Sequence, residues 1–144
     1  MVTERSDEAR QHLALFEDEA GVGVRDCVIV EDHGLVVFLV EAGEMADAIG
    51  PGGRNVERVE RELDRDVKLV EDAPSAAGFV ANALAPATVN NVTISQNQDT
   101  VAYVEVAQED RGIAIGTGGK NIDAARRLAE RHCDVDLRMG AKQD

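Results

Sequence analysis

The sequence predicts an α+β fold, helices layered on small sheets, built twice in tandem. Three observations carry this. Residues 48–55 read Ala-Ile-Gly-Pro-Gly-Gly-Arg-Asn and residues 114–121 read Ala-Ile-Gly-Thr-Gly-Gly-Lys-Asn. Six of these eight positions are identical, at an offset of 66 in a chain of 144 residues, which marks a duplicated unit. Around each copy, strand-period and helix-period apolar patterns recur in the same order, α-β-β-α-loop-α-β. Only a short stretch, about 71–74, separates the two sets, so the expected domains are 1–72 and 73–144.

Each element has a local reason. Residues 4–19 carry Leu13, Phe16 and Ala9 at helical spacing, which predicts a helix with those residues inward. Residues 24–30 read as a strand, and Asp32-His33-Gly34 as a turn. Residues 35–40 are apolar throughout, so they predict a central, buried strand. A short helix over 44–49, the glycine loop, a helix over 54–65 and a strand over 67–70 complete the first unit. The second opens with a helix over 75–84, set between Pro74 and Pro86. Strands over 88–95 and 101–106 flank a polar turn, 96–99. A short helix over 111–115, the second loop, a helix over 120–131 and a strand over 134–138 follow. Matching 66–69 with 134–137 makes the second copy two residues longer by its last strand. The tail after about residue 139 is expected to be loose.

Composition excludes several classes. Aromatic residues are 3% and Trp is absent, which argues against a sheet that stacks bases on aromatics. The longest apolar run, 35–40, is far too short to span a bilayer. The polar, acidic start resembles neither a secretory signal nor a transit peptide, so a cytoplasmic protein with no membrane partner is expected. Cys27 and Cys133 stand alone, outside any metal-ligand spacing, and are expected to be reduced thiols. His12, His33 and His132 fall into no catalytic pattern. The expectation is therefore a protein that is not an enzyme, with no cofactor and no metal.

The net charge is −13, from 28 acidic and 15 basic residues. A basic footprint for nucleic acid is missing overall. The charge is uneven, however: residues 1–48 are net −9, whereas residues 111–144 are net +2. Only three residues are Lys against 12 Arg, and bulky apolar residues are sparse. Such a composition suits molar salt, where a Debye length of about 3 Å screens self-repulsion, and a halophilic protein is expected.

The glycine loops are the candidate site. Gly50, Pro51, Gly52, Gly53 and Gly116, Thr117, Gly118, Gly119 each join two helices. Glycine permits positive φ and close approach of another backbone. The helix that follows points unpaired amides at the loop, where they attract phosphate. Arg54 or Lys120 adds a full charge in its first turn. Asn55 and Asn121 follow, as nucleic-acid contacts or as helix caps. A P-loop is excluded, because Ala114 stands where its first glycine belongs and Asn121 where its hydroxyl belongs. A dinucleotide fingerprint needs a strand before the loop, and here a helix precedes it. On the helix after the first loop, Arg54, Arg58, Arg61 and Arg65 fall within about 60° of one another, opposite Val56, Val59 and Leu63. Arg61 and Arg65 read best as a solvated face with pairs such as Glu57–Arg61 and Arg58–Glu62, while Arg58 is close enough to the loop to join the site.

The stretch Asp110-Arg-Gly-Ile-Ala-Ile-Gly-Thr-Gly-Gly-Lys-Asn-Ile-Asp-Ala-Ala-Arg-Arg-Leu resembles the second KH domain of the NusA transcription termination/antitermination family. The Ala83-Leu-Ala-Pro-Ala87 stretch is similar to that family's junction between KH domains. Across nearly the whole chain the resemblance is to a tandem pair of type II KH domains, which implies a three-stranded mixed sheet packed on helices in each. It further implies single-stranded RNA, about four nucleotides per domain, laid over each loop. KH loops often carry a basic residue between the outer glycines, and here that duty passes to Arg54 and Lys120. The chain resembles the short archaeal form, expected to stand without the polymerase-binding and S1 domains of the bacterial factor. RNA polymerase is a candidate partner, and a monomer is the expected state. A role in ribosome assembly or RNA processing, or as an acidic protein-interaction scaffold, stays open, since a fold does not fix a function.

Overall fold

The computed structural model describes residues 6–140, and the expected helix start at residues 4–5 and tail at 141–144 lie outside them. The chain divides into two compact units, 1–72 and 73–144.

In the first unit, helix α1 (Asp7–Ala20) starts because the Ser6 hydroxyl accepts the Ala9 amide at 3.1 Å, with Asp7 and Glu8 at its positive end. It stops at Gly21, whose left-handed backbone (φ 69°) lets its N–H reach the Glu17 carbonyl. Strands β1 (Val24–Val30) and β2 (Leu35–Val40) pair antiparallel, joined by a tight helical turn over Glu31–His33. Helices α2 (Met45–Ile49) and α3 (Arg54–Leu63) flank the first glycine loop. Strand β3 (Asp66–Glu71) lies parallel to β2, so the sheet is mixed, in the order β1-β2-β3.

All six residues of β2 are buried, as an uninterrupted apolar run requires. Val36, Phe38 and Val40 share a core with Phe16 of α1, Ala48 of α2 and Val59 of α3. The Phe16 and Phe38 rings meet at 4.6 Å in a tilted arrangement, which favours the pair beyond its area alone. Leu13 packs at the edge of this core and Ala9 within it.

The second unit repeats the order. Helix α4 (Ala76–Ala83) is capped by Ser75, whose hydroxyl accepts the Gly78 amide at 3.0 Å. Strands β4 (Val89–Gln96) and β5 (Thr100–Val106) pair antiparallel, and β6 (Asp136–Met139) lies parallel to β5. Helices α5 (Arg111–Ile115) and α6 (Lys120–Cys133) flank the second loop. Ile122, Ala125 and Ala129 of α6 are buried, and the rings of Phe79 of α4 and His132 meet in a tilted arrangement at 5.6 Å. The 83–87 stretch lies inside this unit: Leu84 is fully buried there.

Three sequence expectations are corrected. Helix α3 ends at Leu63, and helix α6 runs on to Cys133. Both end on an aspartate in the left-handed region, Asp64 and Asp134, each at φ 55°. Aspartate is among the few side chains that tolerate this backbone. The repeat is therefore four residues longer in its second copy, not two. Asp66 pairs with Leu35 at the start of β3, and Asp136 with Val101 at the start of β6. The extra residues form one additional turn of α6.

Candidate nucleic-acid interface

The two loops have almost the same backbone. Gly50 and Gly116 both sit at φ 79°, ψ 167°; Gly52 and Gly118 both sit at φ 62°. Gly53 and Gly119 are also left-handed, at φ 79° and 83°. Each loop closes by the same hydrogen bonds, Gly53 N–H to Gly50 O and Gly119 N–H to Gly116 O, both 3.0 Å. Pro51 and Thr117 begin a tight turn, and the Arg54 and Lys120 amides bond back to their carbonyls.

The glycines divide into two kinds. A Cβ on Gly50 would stand 2.7 Å from Asn55 Nδ2, and one on Gly116 would stand 2.9 Å from the Asn121 backbone nitrogen. Gly116 is required by packing against fixed atoms, whereas at Gly50 the nearest atoms are the flexible end of the Asn55 side chain. At Gly52 and Gly118 a Cβ would meet nothing within 4 Å, and both residues are exposed. Their bare backbone faces open space, where a ligand backbone can come close.

The asparagines are not helix caps. A cap accepts from backbone amides. Here Asn55 Nδ2 donates to the Asp47 carbonyl at 3.0 Å, and Asn121 Nδ2 donates to the Ala114 carbonyl at 3.1 Å and the Leu84 carbonyl at 3.3 Å. Each asparagine thus staples its helix to the short helix before the loop. The N-cap position of α3 and of α6 is a glycine, Gly53 and Gly119, so neither helix start has a side-chain cap. The Arg54 and Lys120 amides close the loop turn, and the partial positive charge of the helix end is what remains to attract an anion.

The cations are placed differently. Arg54 is exposed and makes no ion pair with any described residue, while Lys120 is half-buried. Arg58 is half-exposed and meets Glu19 of α1 at 3.7 Å, so it is shared with that carboxylate rather than paired with Glu62. Arg65 reaches Glu8 of α1 at 3.6 Å. Arg58 of α3 and Arg65, which lies beyond the end of α3 at Leu63, therefore serve partly to hold α1, by partly exposed pairs of small individual worth.

The sequence reading missed the apolar partners of the loops. Ile49 and Ile115, each directly before its loop, are 38% and 40% exposed, and Ile113 is 47% exposed. The signal was there in Ile-Gly-x-Gly-Gly itself, but apolar residues on a short helix read by default as core. Cys27 is buried and Cys133 half-buried, and neither is in a disulfide among the described residues. No helix among the described residues is long and apolar enough to cross a membrane.

Comparison with known proteins turns this geometry into a family assignment. The NusA-like second KH domain matches residues 76–143, and the KH domain matches residues 10–74. A probable transcription termination protein NusA of Halococcus morrhuae is 58% identical over 131 residues, covering 91% of this chain and 93% of that protein. The chain belongs to the NusA-like family of KH-domain proteins. Its NusA-like relatives include one from Halobacterium salinarum, 56% identical over 136 residues, 94% of this chain and 96% of that one. The halophilic composition fits both of these sources. A solved structure described as the crystal structure of APE1850 superposes with a TM-score of 0.79 at 26% identity, covering 93% of this chain and all of that one.

Proposed function

We propose that this NusA-like chain binds single-stranded RNA over its two glycine loops and acts in transcription elongation and termination. The observation that carries this is the repeated loop: exposed glycines, an uncapped helix end and a cation at one side, an exposed isoleucine at the other. Phosphates sit over Gly52 or Gly118, close to the positive end of α3 or α6 and to Arg54 or Lys120. Bases pass toward Ile49 or Ile115, which supply apolar contact without reading a donor–acceptor pattern. About four nucleotides occupy each domain. The domains proposed for this work are 1–72 and 73–144.

The chain acts by binding, and no chemical step is assigned to it. Its place is the cytoplasm, as a monomer, on RNA emerging from RNA polymerase. The names of its Halococcus and Halobacterium relatives support the transcriptional role. Crosslinking the protein to RNA in cells and sequencing the bound strands tests both parts. Enrichment of nascent transcript ends is the expected result. Recovery of ribosomal precursors alone would move the role to ribosome assembly, and recovery of no RNA would favour a protein scaffold.

A further inference from the structure

The backbones of the two loops match to within a few degrees, yet their surroundings do not. Residues 1–72 carry 8 basic and 19 acidic side chains, and residues 73–144 carry 7 and 9. The contrast sharpens beside the loops. In the first unit, Asp47 is exposed on α2, and its carbonyl holds Asn55, so it stands one hydrogen bond from the start of α3. Glu44 precedes α2, and the Glu71 carboxylate accepts the Gly43 amide at 2.8 Å, which brings another acid to the same helix. In the second unit, Asp110 stands in the place of Glu44, but its carboxylate is taken up by the Thr88 amide at 2.8 Å. Arg111 stands in the place of Met45, and the exposed Ile113 in the place of Asp47.

We infer that the two loops are unequal: the second, with Ile113 beside it, is the principal anchor for single-stranded RNA, and Asp47 restricts the first to a secondary, salt-dependent role. This rests on the RNA-binding reading above. An approaching phosphate meets open glycine backbone in both units. In the first it also meets the exposed Asp47 carboxylate, whose repulsion fades only when salt shortens the Debye length to a few ångströms. Asp123, in the first turn of α6, has its counterpart in Glu57 of α3, so it does not separate the two loops; in the second unit the Asp47 carboxylate is replaced by Ile113, which adds apolar contact for a base. The first loop therefore contributes most in molar salt, the second at any salt.

The test uses the full chain and a labelled single-stranded RNA of mixed sequence, followed by fluorescence anisotropy between about 0.5 and 3 M KCl. Four variants are compared: Gly52→Asp, Gly118→Asp, Asp47→Ile and Ile113→Asp. The last two exchange the residues that differ, at exposed positions, and matched far-ultraviolet spectra confirm folding. Gly118→Asp is expected to weaken binding about tenfold or more at the lower salt, and Gly52→Asp about threefold or less. Ile113→Asp should weaken it about tenfold, and Asp47→Ile should strengthen it about twofold, a gain that shrinks toward 3 M. Equal losses from Gly52→Asp and Gly118→Asp, or no gain from Asp47→Ile, would overturn the inequality and leave RNA binding standing. An unmodified chain that binds no RNA at any salt would overturn the RNA-binding reading itself.

Discussion

Alanine at Gly116 is the sharpest probe of how the loop is held. Gly116 sits at φ 79°, ψ 167°, a region nearly closed to other residues, where a side chain costs about 1–3 kcal/mol. The new Cβ would also lie 2.9 Å from the backbone nitrogen and Cβ of Asn121. Neither atom can swing aside, because both belong to the first turn of α6. The loop must instead withdraw from the helix. That strains the Asn121 bonds to the Ala114 and Leu84 carbonyls, each worth about 1 kcal/mol. The expected loss is about 3–5 kcal/mol. Gly118→Ala is the control: its Cβ enters open space, and left-handed strain alone costs about 1–2 kcal/mol. Urea unfolding in molar KCl, followed by far-ultraviolet circular dichroism, measures both. If Gly116→Ala falls within about 1 kcal/mol of Gly118→Ala, the packing argument is wrong.

The first loop should respond differently, since the atoms nearest a Cβ on Gly50 are the flexible end of Asn55. Gly50→Ala and Asn55→Ala should then be sub-additive by about 1 kcal/mol in a double-mutant cycle, and strict additivity would contradict this. Lys68 is half-buried on β3, and burial lowers its pKa from 10.5 to about 8. Between those values the unfolded chain binds more protons, so stability should rise with pH across that window; Lys68→Met should be more stable at pH 7 and should flatten the rise. Unfolding midpoints of the two proteins at several pH values decide it. Removal of molar KCl should lower the melting temperature, because the charge of −13 is then unscreened, and an unchanged melt in dilute buffer would refute the salt-adapted reading. RNA affinity should fall only gently with salt, by about 0.7 in log K per log salt for each of about two to four phosphates, and titration would expose a steeper dependence.

The parts of this fold legible in the sequence were those specified by local chemistry. Val24–Val30 and Leu35–Val40 were bounded correctly because turn residues enclose β-branched and apolar runs. Arg111–Ile115 was bounded by the glycine that ends it. The ends of α3 and α6 were not legible, since Asp64 and Asp134 adopt a backbone usually signalled by glycine. The identical Asp-Val pairs at 66 and 134 then favoured a false alignment of the two copies. At the site, the loop residues and Arg54 stood out by repetition. The staple made by Asn55 and Asn121 did not, because the carbonyls it grips are set by how two helices meet. The exposure of Ile49, Ile113 and Ile115 was hidden for a similar reason: which side of a five-residue helix faces water depends on what packs beneath it.

The additional turn of α6 bears on how such duplicated chains diverge. Four residues lengthen a helix by about 6 Å and rotate it only about 40° past a full revolution. Both rods keep their apolar side toward the sheet, start from the same loop and finish on the same aspartate conformation. One inserted residue would have swung everything beyond it by about 100°, and two by about 200°, exposing the interior stripe. Length in this architecture thus changes in quanta, as in a telescoping strut whose fittings at either end stay untouched. A copy can acquire reach and new surface while the backbone of the loop at its tip is inherited unaltered.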